Sequence, residues 1–175
     1  MKNMQEFWDL TKKFNDLSGA SQELSEKAFL EQYSYIREEF NEMSTTLGYT
    51  EDSIPSLESY MLESLLDDTL DVIITAFGML HKLENLGIDI NGAALATAHN
   101  NLSKYPVRPY IAHETVDRLF MKDGTVAEAK FNEQENCFII RDVNTGKVKK
   151  PFNFIPNDLR QFIPEEAEVK YAEGH

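Results

Sequence analysis

Apolar residues recur at three- and four-residue steps through most of the first hundred positions, the spacing of one face of an α-helix. Residues 3–17 are the first such stretch, with Phe7, Leu10, Phe14 and Leu17 on one face and Ser18-Gly19 as its end. The second runs from residue 25 to about 47. Phe29, Tyr33, Ile36, Phe40, Met43 and Leu47 form its amphipathic stripe, and Gly48 follows as a stop. Residues 51–55 read as a linker. A third helix is predicted over 56–86, ending at Gly87. Its segment 72–80 is apolar nearly all round, which marks it as the buried central helix. Residues 88–90 read as a short loop, and 91–104 as a short alanine-rich helix stopped before Pro106.

The pattern changes after about residue 118. Asp123-Gly124, Asn144-Thr145-Gly146 and three prolines punctuate short runs such as Cys137-Phe138-Ile139-Ile140, which predict a small β-hairpin or meander. The expected organisation is mainly α: a helical bundle over 1–117, a β appendage over 118–163 and an acidic tail over 164–175. No internal repeat or low-complexity tract interrupts it.

Charge narrows the function. Thirty acidic residues against 17 basic give a net charge of −13. Such a chain is a poor candidate for non-specific nucleic-acid binding, which needs a basic surface, or for docking on anionic membranes. The longest apolar run is far shorter than the ~20 residues that span a bilayer. The N-terminal residues carry no apolar signal segment, and the lone Cys137 excludes a disulfide framework or a Cys-rich zinc site. The expectation is a soluble protein of the reducing cytoplasm, with Cys137 as a small buried hydrophobe.

Two acidic clusters carry the candidate chemistry: Glu38-Glu39-x-x-Glu42 on the second helix and Asp67-Asp68-x-x-Asp71 on the third. Positions three and four apart share a helix face, so Glu39 lies beside Glu42, and Asp68 beside Asp71. With Ile36 at the centre of the apolar face, Glu39 falls only about 60° away, at its edge. Asp67, Asp68 and Asp71 interrupt an otherwise apolar stretch. Half-buried carboxylates are costly without a counter-charge, and hard divalent cations such as Mg²⁺ take oxygen ligands and often substrate phosphates. A di-iron bundle would need Glu-x-x-His motifs. None of the four histidines follows a Glu by three, which favours an all-oxygen Mg²⁺ or Mn²⁺ site. There is no phosphate-binding P-loop and no nucleophile elbow. His81 and His99 read as ordinary polar or packed residues.

These clusters, followed by Asn100-Asn101-Leu102-Ser103-Lys104, resemble the all-α nucleoside triphosphate pyrophosphohydrolases, a superfamily that includes MazG-like enzymes, dimeric dUTPases and phosphoribosyl-ATP pyrophosphohydrolases. The likeness is to the phosphoribosyl-ATP pyrophosphohydrolase-like branch, many of whose members are encoded by bacteriophages. The segment 145–159, Thr-Gly-Lys-Val-Lys-Lys-Pro-Phe-Asn-Phe-Ile-Pro-Asn-Asp-Leu, is similar to a stretch near the end of that branch. Ala98 departs from it, standing where a His is often found. The resemblance implies a MazG-like four-helix bundle and Mg²⁺-dependent hydrolysis of a nucleoside triphosphate, a dNTP or non-standard NTP, to the monophosphate and pyrophosphate. It implies metal ligands Glu38, Glu39, Glu42, Asp68 and Asp71, with Glu39 doubling as the base that orients the attacking water, and phosphate contacts from Asn101 and Lys104.

Phe7, Trp8 and Phe14 are candidates for reading the base, with core packing the better reading of each. A short bundle core and an all-round apolar helix predict a homodimer or higher homo-oligomer. Two alternatives stand beside this reading. One keeps the fold and changes the substrate to phosphoribosyl-ATP or ppGpp. The other is a non-catalytic acidic helical protein that binds basic partners.

Overall fold

The structure is a computed structural model and describes residues 4–17, 24–48 and 59–167. The predicted linker at 51–55, the start of the third helix at 56–58 and the end of the acidic tail lie outside the described residues. The architecture is mainly α with one two-stranded antiparallel hairpin: α1 (Met4–Leu17), α2 (Glu26–Thr46), α3 (Leu62–Asn85), α4 (Ile90–Leu102), α5 (Pro109–Asp123), β1 (Ala127–Asn132) and β2 (Cys137–Asp142). The chain forms two compact units, one of residues 1–90 with 162–175, the other of residues 91–161. The sequence pattern changes near residue 118, but α4 and α5 belong with the hairpin.

In the first unit α3 packs against both α1 and α2. The start of α2 is written in the sequence. Ser25 is its N-cap, in extended backbone, and its hydroxyl accepts the Ala28 amide at 3.2 Å. This satisfies one of the N–H groups a helix start leaves open. A one-turn 3₁₀ helix, Ser59–Met61, leads into α3. Gly87 ends the next turn with φ 83°, backbone that a residue with a Cβ rarely adopts.

The buried face of this unit differs from the expected apolar stripe. On α1 the side chains that go inside are Thr11 and Asn15, while Leu10, Phe14 and Leu17 are exposed. On α2 they are Ala28 and Gln32, while Tyr33 and Phe40 are exposed. Segment 72–80 of α3, expected to be buried, is half-buried apart from the fully buried Gly78. The reason is local. Gly78 has no side chain, so Gln32 and Asn15 close over it. A Cβ there would stand 2.5 Å from Gln32 Nε2 and 2.9 Å from Asn15 Oδ1. Both amides are hydrogen-bonded, which makes their burial tolerable. Gln32 donates to the Thr75 carbonyl oxygen at 2.8 Å, and Asn15 to the Thr11 carbonyl oxygen at 2.9 Å. Apolar packing is concentrated at one end, where Phe77 meets Phe7 and Trp8, and Trp8 meets His81 edge-on with ring centroids 4.3 Å apart.

The second unit is built on α5, a helix for which the sequence pattern gave no prediction. Pro109 occupies the first turn, where its missing N–H costs nothing. Gly124, at φ 72°, ends the helix. The hairpin pairs Ala127 with Asp142 through to Asn132 with Cys137 and packs against α5. Ile140 and Ala112, both 0% exposed, lie in its core. Cys137, expected to be buried, is half-buried at the start of β2, a position next to the turn that keeps one side open.

Candidate functional site

Two contacts show how α2 and α3 run. Gln32 reaches Thr75, and Met43 Sδ accepts a weak hydrogen bond from Thr69 Oγ1 at 3.7 Å. Position rises on α2 as it falls on α3, so the helices are antiparallel. Glu39 lies between these contacts on α2 and Asp71 between them on α3. Both line one cavity of about 430 Å³, together with Phe14, Asn15, Gln32, Tyr35, Ile74 and Thr75.

The five predicted carboxylates are electrostatic neighbours. Partial burial pushes the Glu39 pKa up, and the negative charges of Asp71, Glu42, Glu38 and Asp68 push it further. Each of these effects opposes ionisation. Among the described residues none of the carboxylates at 38, 39, 42, 67, 68 and 71 is in an ion pair. Asp68 Oδ2 is buried and has no hydrogen-bond partner. An orphaned carboxylate oxygen and a neighbour that resists ionising both fit a cation in the cluster, because a positive charge relieves both costs at once. Among the described residues, however, no three His, Cys, Asp or Glu side chains form a group tight enough to hold a metal ion. Glu38, Glu42 and Asp67 are exposed, while Glu39, Asp68 and Asp71 are half-buried.

Asn101 and Lys104 belong to the second unit. They pair with each other across the end of α4, Lys104 Nζ donating to Asn101 Oδ1 in its last turn at 2.7 Å. Of the three candidates for reading the base, Phe7 and Trp8 pack on Phe77, and Phe14 lines the cavity.

The sequence reading missed Asn15, Gln32 and Tyr35. The signal was there for two of them. Gln32 falls at core spacing between Phe29 and Ile36, and Asn15 lies one and two turns beyond Thr11 and Trp8 on one face of α1. A polar residue at a core position is the informative exception in such a pattern.

Compared with known proteins, the chain matches no protein-family model, no curated protein and no solved structure. Among the described residues no helix is long and apolar enough to cross a membrane.

Proposed function

We propose that the chain is a divalent-metal-dependent nucleoside triphosphate pyrophosphohydrolase whose site is the carboxylate cluster of α2 and α3. The observation that carries this reading is that Asp68 Oδ2 is buried without a partner in the same cluster as Glu39, whose ionisation is opposed by partial burial and by four neighbouring carboxylates. An acidic helix that served only as a solvated face would keep such oxygens in water.

Glu38, Glu39, Glu42, Asp68 and Asp71 would hold Mg²⁺ or Mn²⁺, which supplies charge neutralisation of a polyphosphate and acidification of a bound water. Glu39 lines the cavity, and burial and the neighbouring negative charges raise its pKa above the ordinary carboxylate value, which suits a group that accepts a proton. The cavity also suits a nucleoside. Phe14 and Tyr35 line it and present rings for stacking. The phosphate roles of Asn101 and Lys104 rest on the sequence resemblance. So does the choice of a dNTP or non-standard NTP as substrate, while a cytoplasmic location rests on the lone cysteine and the N-terminal composition.

Self-association belongs to the same reading. Leu10 and Leu17 on α1, Leu30 and Phe40 on α2 and Leu62 and Leu66 on α3 are all exposed. A dimer or higher oligomer covers such faces. Light scattering at micromolar concentration tests this, and a monomer there excludes it.

The acidic interaction protein remains the second reading, favoured by the exposure of Glu38, Glu42 and Asp67 on the helix surfaces. One experiment separates the two: pyrophosphate release from a panel of dNTPs, NTPs, phosphoribosyl-ATP and ppGpp, with Mg²⁺, with Mn²⁺ and with EDTA. Metal-dependent release from a few substrates establishes the hydrolase and names its substrate. No release with either metal, and no metal-induced rise in Tm, leaves the interaction protein.

A further inference from the structure

The net negative charge of the chain is confined to the first unit. Residues 91–161 carry ten basic and eight acidic side chains, and this second unit has a cavity of its own, of about 690 Å³. Its walls are the C-terminal half of α4 and the segment 153–158 that crosses it. Two amides fasten that segment down. Asn100 Nδ2 donates to the Ile155 carbonyl oxygen at 2.8 Å, and Asn157 Nδ2 to Thr97 Oγ1 at 3.4 Å. The two stretches singled out in the sequence, 100–104 and 145–159, thus build one cavity although they are some forty residues apart.

We propose that this cavity is a second ligand site, for a nucleobase presented free or as a nucleoside. The chemistry of the walls selects that class. No Lys or Arg lines the cavity, so it is not built for a phosphate, which calls for cations. Its one carboxylate, Asp158, is taken by Arg160, whose Nε and Nη2 donate to its two oxygens at 3.1 and 2.9 Å. That leaves neither an open anionic wall for a cation nor a free carboxylate for sugar hydroxyls. What remains is the His99 imidazole, the Asn153 amide and the Ser103 hydroxyl, which donates to the Asn100 carbonyl oxygen at 2.7 Å and can still accept, facing an apolar wall of Phe154, Ile155 and Pro156. Mixed donors and acceptors at one edge and a flat aromatic surface at the other match a planar heterocycle with an amide-like edge. The Lys150 ammonium lies over the Phe154 ring, 4.7 Å from its centroid. The site does not depend on the hydrolase reading of the first unit.

The test is a titration of the full chain with adenosine, guanosine, cytidine and uridine, followed by backbone amide shifts. The expected result is saturable shifts at residues 96–103 and 153–158 for at least one nucleoside. Asn153→Ala and His99→Ala, both at exposed positions, should each weaken that binding about tenfold, and Glu39→Gln should leave it unchanged. Shifts confined to residues 14–39 and 71–75 would overturn the proposal. So would loss of binding in Glu39→Gln, equal binding of ribose alone, indifference to both second-unit variants, or no response to any nucleoside at millimolar concentration.

Discussion

Gln32 donates its side-chain amide to the Thr75 carbonyl oxygen at 2.8 Å, joining α2 to α3 beside Gly78. Gln32 is 3% exposed, and in that setting a hydrogen bond does more than add its ~1 kcal/mol. It fixes which part of α2 faces which part of α3, and so sets Glu39 and Asp71 on one cavity.

Gly78→Ala tests that junction. Helix propensity alone would stabilise the change by ~1 kcal/mol. The new methyl group would stand 2.5 Å from Gln32 Nε2, and overpacking of this kind costs about 1–3 kcal/mol. The expected outcome is a lower Tm by circular dichroism, with weaker metal-dependent turnover. A higher Tm would show that Gln32 and Asn15 move aside freely.

Glu39→Gln should abolish metal-dependent pyrophosphate release and leave the fold intact. It should also raise the metal-free Tm, because it removes one of five mutually repelling carboxylates. The pH dependence carries the same sign. A carboxyl whose folded pKa is raised favours folding below its unfolded pKa, and that stability is lost as pH rises through the folded pKa. Metal-free protein should therefore lose stability as pH climbs out of the carboxylate range, and Glu39→Gln should flatten that limb. Turnover that survives the substitution rules out the proposed role.

His81 predicts the opposite slope. It is 0% exposed, both ring nitrogens lack partners, and burial pushes its pKa down. Glu84 and Asp16 favour its charged form and Lys12 opposes it, with Lys12 and Glu84 themselves joined at 2.6 Å. A depressed histidine pKa means the unfolded chain takes up the proton first, so stability falls as pH drops below about 6.5. His81→Leu removes two unsatisfied nitrogens worth about 1–3 kcal/mol. It also gives up an edge contact with Trp8 worth about 0.5–1.5 kcal/mol. Equal or slightly higher stability at neutral pH and a flatter acid limb are expected from urea titrations at several pH values. A large loss at neutral pH would mean the imidazole is satisfied after all.

In the second unit, Asp142 closes the turn after β2. It accepts the Asn144 and Thr145 amides at 2.9 and 3.0 Å and pairs with Lys149 at 2.9 Å. The Lys149 hydrogen bond is the largest of the effects that hold its pKa below the usual carboxylate range. The stability this confers is present above the unfolded pKa and lost as pH falls through the folded one. Hydrogen exchange at Lys149, whose amide donates to Ile140, should accelerate at acid pH and in Asp142→Ala. Asp142→Asn, which keeps a turn acceptor, should show a smaller change. Equal protection in Asp142→Ala and the parent chain would show that the turn forms without the carboxylate.

The first four helices and the hairpin were legible because their signals are local. The Ser25 cap, the stops at Gly48 and Gly87, and the short apolar run 137–140 act within a few residues of where they stand. α5 was not, because Pro109 breaks a helix or begins one depending on where the first turn falls. Glu39 and the acidic triplet of α3 were marked by sequence alone through the mismatch of carboxylates with an apolar face.

What the sequence by itself determined was a mainly helical chain with acidic residues spaced to share helix faces. Only the tertiary structure decided that Thr11, Asn15 and Gln32 go inside while Leu10, Phe14 and Phe40 stay out. Periodicity reports which residues share a face but not which of two neighbouring faces meets another helix. That choice fell to Gly78, whose missing side chain admits two amides where a larger residue would have forced an apolar seam.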